Sequence, residues 1–267
     1  MEIRVNELLC HGTPGQTVGS VAREHKPDAD VLILNGHPAD AGAPLAEGDQ
    51  VYLIRRGEQP TADELERLMS ARHTPGVHER MKAATVGIAG AGGLGSAVAV
   101  ALARIGVGRL VVADFDVVEP SNLNRQQYFI DQIGMPKVEA LALNLARITP
   151  CVSVTSHAVV LDPSNTAQIF RGCTVLVEAF DRADMKAMLI DTVMEQMPGV
   201  CVVAASGLAG CGPNNSITTR RISQRLYVVG DGCSEARPGC GLMAPRVGIA
   251  AHHQANQVIR LLLGEEL

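Results

Sequence analysis

The sequence predicts an α/β protein built around a nucleotide-binding βαβ unit and preceded by a small β-rich module. Three observations carry this. A short apolar run, Thr85–Ala89, is β-branched at Val86 and Ile88 and reads as a buried strand. It meets Gly90, Gly92 and Gly95, a G-x-G-x-x-G pattern with Gly93 inside it, where the strand turns into a helix over residues 94–105. Side chains there would keep the backbone from approaching a phosphate, and the helix start directs its free N–H groups and positive dipole end at the same spot. The third is a second apolar strand, Arg109–Ala113, ending at Asp114, where a carboxylate can accept hydrogen bonds from ribose hydroxyls.

From the N-terminus, Glu2–Val5 alternates as a strand and Leu8–His11 returns beside it. Residues 16–24 form a short helix with Thr17 as N-cap, stopped at Lys26-Pro27-Asp28. Val31–Leu34 is a strand ended by Asn35-Gly36, residues 42–48 form a turn region, and residues 50–55 are a last strand. The order ββαβ…β within 58 residues is that of the β-grasp fold. Residues 59–83 then form a helical linker, with Thr61 capping a helix that runs to about Ala71 and a second short helix reaching Lys82. The main domain spans 84–267. After its βαβ unit come a helix over 138–148, a strand over 152–156, and a helix opened by Asp162 that ends near Arg171. A strand over 174–177 leads to Glu178-Ala179-Phe180-Asp181 and a helix over 183–194. A strand over 200–205, a hairpin of 217–220 with 226–229, a mobile loop over 231–241 and a helix over 243–263 complete the chain.

Composition bounds the function. The chain has 267 residues, no tryptophan and few aromatics, so its core must be built from Val, Leu, Ile, Ala and Met. A net charge of −5 argues against non-specific nucleic-acid binding. No basic-then-apolar leader and no bilayer-length apolar run is present, which predicts a soluble, cytoplasmic protein without membrane contact. Seven cysteines without C-x-x-C spacing are expected to be reduced thiols.

Beyond Asp114, the stretch Ser121-Asn122-Leu123-Asn124-Arg125-Gln126-Gln127 and the Lys137 of Gly134-Met135-Pro136-Lys137 supply groups that phosphate-chain handling needs and hydride transfer does not. With GAGGLG at 90–95, DFDVVEPSNLNRQ at 114–126, GMPK at 134–137 and Phe180-Asp181, the sequence resembles the ThiF/MoeB/HesA superfamily of ubiquitin-activating-like adenylyltransferases. The N-terminal module, through Pro14-Gly15-Gln16-Thr17-Val18, Leu34-Asn35-Gly36 and residues 45–51, looks like a ThiS sulfur carrier. It departs from one in that Arg55-Arg56-Gly57-Glu58 leads into more chain instead of a free Gly-Gly tail. A docking or regulatory piece and a merely stabilising or dimerising one are both open readings of it.

The resemblance implies a Rossmann-like ATP-binding domain with a mixed parallel and antiparallel sheet, working as a homodimer on ATP and Mg²⁺ with a ThiS-like carrier as partner. It implies adenylylation of the carrier's C-terminal carboxylate in thiazole formation for thiamine. Arg125, Lys137 and Asp181 are then the catalytic residues. The nucleotide would be held by Gly90, Gly92, Gly93, Gly95, Asp114, Asp116, Asn122, Asn124, Arg125, Gln126 and Lys137, and magnesium by Asp181. Asp181 as a plain N-cap for the helix after it is the alternative reading. Arg72 is the nearest match to an arginine that reaches the partner subunit's ATP site in the family, with a surface arginine as the other reading. Relatives often hold zinc through two C-x-x-C pairs; their absence predicts no zinc site. A molybdopterin-type carrier or a tRNA-modifying dehydratase of the same superfamily would keep the chemistry. An NAD-dependent oxidoreductase or a non-catalytic nucleotide binder would change it.

Overall fold

The computed structural model describes residues 1–70 and 76–265, in two compact units, Met1–His73 and Thr74–Leu267. The first holds β1 (Glu2–Val5), β2 (Leu8–His11), α1 (Val18–His25), β3 (Val31–Leu34), β4 (His37–Pro38), β5 (Gln50–Ile54) and α2 (Ala62–Ser70). Its sheet runs β2-β1-β5-β3-β4, parallel only between β1 and β5. Period-two alternation puts Ile3, Val5, Val51 and Leu53 on one face, against Val18 and Val21 of α1. Thr17 caps α1 as the sequence predicts, its hydroxyl accepting from the Ser20 N–H (3.3 Å) while the Ser20 hydroxyl accepts from the Thr17 N–H (2.9 Å). The helix starts at Val18, two residues later than expected, because Thr17 itself is extended (φ −115°, ψ 163°) and serves as the cap.

Past β5 the chain turns back. The Glu58 N–H donates to the Arg55 carbonyl (3.3 Å), and Lys26 at the end of α1 grips Glu58 (2.5 Å) and Glu64 (3.2 Å). Those carboxylates, Glu58 first, hold the lysine ammonium above its usual range. Residues 55–58 thus form a folded, ion-paired turn.

The second unit holds α3 (Val77–Ala83), β6 (Thr85–Ala89), α4 (Gly93–Arg104), β7 (Arg109–Ala113), α5 (Lys137–Ile148), β8 (Ser153–His157), α6 (Thr166–Ile169) and β9 (Val175–Glu178). It continues through α7 (Ala183–Gln196), β10 (Cys201–Ala205), β11 (Thr218–Arg221), β12 (Leu226–Gly230) and α8 (Ala244–Leu262). The sheet order is β11-β12-β10-β9-β6-β7-β8, parallel except for the β11–β12 hairpin. The central strands β6, β7, β9 and β10 are covered on both faces and are correspondingly apolar, whereas the edge strands β8 and β11 are polar and partly exposed. Val86, Ile88, Leu110, Val112, Val175 and Val177 face α4, α5 and α8. Val111, Leu176 and Val202 face Phe170 and the α7 side. Burying a side chain such as Phe170 or Leu176 stabilises by roughly 1.5–3 kcal/mol. Gly87 leaves room for this packing: a Cβ on it would stand 2.5 Å from Leu176 Cδ1 and 2.7 Å from Phe170 Cδ1, so those side chains would have to shift.

The helix opened by Asp162 is shorter than expected, a single turn at Thr166–Ile169. Asp162 accepts from the N–H groups of Ser164 and Asn165 and so closes a turn ahead of it. The expected mobile loop over 231–241 is anchored at its start. Asp231, at the end of β12, accepts from the Cys233 and Ser234 N–H groups (2.9 and 2.8 Å) and from Arg246 (2.6 Å). Arg246, 4% exposed, also donates to the carbonyls of Gly212 and Pro213 and to the Ser216 hydroxyl. One guanidinium thus ties the loops after β10 and β12 to α8.

Burial works to raise the Asp231 carboxyl, but the Ser234 and Cys233 N–H groups and Arg246 overcome it and hold it well below the usual carboxylate range. A depressed carboxyl contributes stability above its unfolded value near pH 4 and loses it as pH falls toward the folded value. Asp231→Asn, which strands a buried guanidinium, is therefore expected to cost about 3 kcal/mol at pH 7. In urea unfolding the gap to the parent should narrow below about pH 4; a gap constant with pH would contradict the pairing.

Candidate active site

Strands β6, β7 and β8 step one way across the sheet, and β9 returns to the other side of β6. The sheet therefore switches direction between β6 and β9, and a parallel sheet opens a ligand crevice beyond the carboxyl ends of such a pair. The two chain segments leaving those ends touch. The Ala179 N–H donates to the Ala89 carbonyl (2.9 Å), and a Cβ on Gly90 would lie 2.8 Å from the Ala179 carbonyl oxygen.

The glycines have separable reasons. Gly90 has φ +97°, and a Cβ on Gly95 would lie 1.8 Å from the Gly90 carbonyl, so these two are demanded by the chain itself. Gly93 packs against Val247 and Arg125. Gly92 meets nothing closer than the Gln126 Nε2 at 3.9 Å, and its backbone has ordinary negative φ. The fold leaves that surface bare at the N-terminus of α4.

Asp114 secures the loop. Its two oxygens accept from the Ala91 N–H (2.6 Å) and the Asp116 N–H (2.8 Å), leaving a second lone pair on each. Burial pushes its carboxyl up, against the pull of those two N–H groups and of Lys137. The Tyr128 hydroxyl donates to the Ala91 carbonyl (2.7 Å), and burial raises that phenol far above its usual range. Lys137, first residue of α5 and 6% exposed, places its ammonium 2.7 Å from Asp116 Oδ2, with two N–H donors still to spend. Asp116, Lys137, Asp114 and the glycine loop thus form one connected set.

The other predicted residues are placed differently. Buried Asn122 accepts from the Glu119 N–H (3.1 Å) and closes its own turn. Arg125 donates to Asn124 Oδ1 (2.8 Å) and to the Ser121 carbonyl (3.3 Å). Gln126 is 8% exposed and its Oε1 has no partner among the described residues. Arg125 and Gln126 line a cleft of about 230 Å³ walled by Gly93 and Ala97 of α4 and by Ala244 and Gly248 of α8. Asp114, Lys137 and Asp181 are not part of its wall. Asp181 is exposed and its carboxylate makes no hydrogen bond among the described residues. It is not a helix cap: Arg182 occupies the N-cap position of α7 and pairs with Asp184. Arg72 lies outside the described residues.

Several groups escaped the sequence reading. Ser96 Oγ donates to the Gly92 carbonyl (2.6 Å) and accepts from the Gln127 N–H (3.1 Å), joining the glycine turn to the 123–127 segment. Glu178, the last residue of β9, is fully buried and pairs with Lys186 of α7 (3.0 Å). Burial drives its carboxyl up while Lys186 and two backbone N–H groups pull it down. Its only signal in sequence is an acid closing an otherwise apolar strand.

Among the described residues no three His, Cys, Asp or Glu side chains stand together as a metal cluster. A single exposed carboxylate with no hydrogen bond to give up, as at Asp181, suits a hard cation that takes its other oxygens from phosphate and water. No helix among those residues is long and apolar enough to cross a membrane.

The switch-point crevice, its glycine turn at a helix start and the acid ending the second strand define a Rossmann-like α/β protein. The chain belongs to the ThiF family, whose model matches residues 65–267, and a ThiS-like ubiquitin model matches residues 1–57. It is 33% identical to the adenylyltransferase and sulfurtransferase UBA4 of Yarrowia lipolytica, over 66% of this chain and 45% of that protein. To the sulfur carrier protein ThiS adenylyltransferase of Bacillus subtilis the identity is 32%, over 72% of this chain and 58% of that one. To the molybdopterin-synthase adenylyltransferase of Haemophilus influenzae it is 34%, over 71% and 79%. The chain spans a little under half the length of the first of these. A solved structure of E. coli tRNA N6-threonylcarbamoyladenosine dehydratase, TcdA, in complex with ATP shares the fold, with TM-score 0.67 and 21% identity over 73% of this chain and 92% of that one.

Proposed function

We propose that this chain adenylylates the C-terminal carboxylate of a small β-grasp sulfur carrier, using ATP and releasing pyrophosphate, with a ThiS-like carrier in thiazole formation as the substrate. The observation that supports it most is the connected set of Gly92, Asp114, Asp116 and Lys137 at the switch point, in a chain of the ThiF family.

A carboxylate is already ionised near neutral pH and needs no general base. One of its oxygens attacks the α-phosphorus, the bond from that phosphorus to the bridging oxygen breaks, and the electron pair leaves with pyrophosphate. Positioning and charge neutralisation then do most of the catalysis. The bare backbone at Gly92 lets phosphate approach the α4 N-terminus. Asp114 offers its remaining lone pairs to the ribose hydroxyls. Lys137, already anchored by Asp116, turns its free N–H donors to the phosphate chain, and Arg125 adds a planar fork. Asn122, Asn124 and Gln126 support this edge, and Gln126 Oε1 is free to accept a hydrogen bond. Magnesium held at Asp181 would supply positive charge as pyrophosphate departs.

The N-terminal module is a pseudo-carrier in this reading, since its Arg55–Glu58 turn has no free carboxylate to activate. The domains are drawn at 1–58, 59–83 and 84–267, with a homodimer as the working form.

ATP–pyrophosphate exchange with purified carriers tests the proposal. Exchange that requires a ThiS-like tail is expected. Exchange only with a molybdopterin-type carrier would keep the chemistry and move the pathway, an outcome to which the similarity to the Haemophilus influenzae protein gives weight. Silence with both, or tight NAD binding in a difference titration, would overturn the proposal.

A further inference from the structure

We propose that Glu178, together with Lys186, is a positioning residue that sets the turn carrying Asp181 and thereby the magnesium-dependent affinity for ATP; this rests on the site reading above. Glu178 has no exposed surface, so it touches no ligand. Its carboxylate instead gathers three segments. Oε1 accepts from the Phe180 N–H at 2.7 Å, immediately before Asp181. Oε2 accepts from the Ala205 N–H at 3.3 Å, at the end of β10. Both oxygens accept from Lys186 (3.0 and 3.1 Å), one turn into α7, and that ammonium also donates to the Ala205 carbonyl (3.0 Å).

Asp181 therefore stands between two fastenings of one carboxylate, Phe180 behind it and the first turn of α7 ahead. From the other side of the sheet, buried Gln254 of α8 donates to the carbonyls of Glu178 (2.9 Å) and Val203 (3.0 Å), fixing the strand end itself. The same turn braces the glycine loop through the close approach of Gly90 to Ala179. A buried ion pair is weak evidence for stability, because apolar side chains of similar volume often replace one without loss. An apolar pair cannot, however, hold the Phe180 N–H. Filling the space and setting the turn are thus separable.

The test titrates a fluorescent ATP analogue into the full-length protein, with magnesium and with EDTA, for the parent, E178Q, D181N, E178Q/D181N and E178L/K186M, each checked by thermal unfolding. E178Q and E178L/K186M should bind the magnesium complex about tenfold more weakly than the parent, with the EDTA affinity changed less than about twofold. In the D181N background E178Q should add nothing, since both act through one carboxylate. Additive losses, or parent affinity in a folded E178L/K186M or E178Q, would overturn the positioning role. Parent protein that binds no nucleotide under either condition would overturn the site reading, and the positioning role with it.

Discussion

Lys137→Ala is expected to lower carrier-dependent ATP–pyrophosphate exchange by about 10²–10³-fold while leaving the protein folded. Lys137 begins α5, so its backbone contribution, an N–H donated to the Asp116 carbonyl (2.9 Å), survives the substitution. What is lost is one ammonium and its stem. The Asp116 side chain is 46% exposed, so water solvates the carboxylate left behind, and the stability cost should stay near 1 kcal/mol. In the proposed function the catalytic loss is larger, because the ammonium would face charge that grows as pyrophosphate separates, in a site where little reorganisation is needed. Lys137→Arg keeps the charge but must place a planar fork where a compact ammonium now sits, and should not restore the rate. Exchange rate, nucleotide affinity and unfolding midpoint measured on one preparation separate these effects. Exchange at the parent rate in Lys137→Ala would remove Lys137 from the chemistry.

The parts of the fold that sequence made legible are those governed by local rules. β6, α4 and β7 announce themselves by period and by glycine, and Thr17 by being a capping residue type near the start of a helix. The hairpin of β11 and β12 shows in sequence as runs at 217–220 and 226–229 with a polar turn between them. What stayed hidden depends on sheet order, which no window of residues contains. Glu178 reads as the polar end of a strand until β10 is known to lie beside β9, which brings the Ala205 N–H to its carboxylate. Gln254 is one polar residue in a long helix until α8 is seen to pack across the end of β9 and the middle of β10. Arg246 likewise looks like surface charge in the first turn of α8, yet it is 4% exposed because two loops fold over it. Local competition hid the rest. Asn122 stands in sequence as a candidate ligand group, whereas in the structure its amide oxygen accepts from the Glu119 N–H, the short-range bond that makes Asn a turn residue.

The glycine loop offers the sharpest contrast between what the fold demands and what a ligand would. Gly95→Ala puts a methyl 1.8 Å from the Gly90 carbonyl oxygen, an atom fixed by backbone and unable to yield. Moving α4 away from β6 would open the packing of Leu94, Val98 and Leu102, all buried in the main core. The expected outcome is a loss of at least about 3 kcal/mol in denaturant unfolding, toward the upper end for overpacking. Gly92→Ala adds the same methyl where the nearest atom is 3.9 Å away and where φ, at −76°, is not in the left-handed region that favours glycine. Its unfolding midpoint should stay far closer to the parent's than that of Gly95→Ala. If phosphate rests on that surface, the methyl takes its place, and ATP affinity should fall by about 10²-fold or more, the loss of a charge-assisted contact at a helix start. One methyl group thus separates a glycine that the chain needs from one that only a ligand needs. Parent-like ATP binding by Gly92→Ala would move the phosphates off the α4 N-terminus and leave the Arg125–Gln126 cleft to hold them.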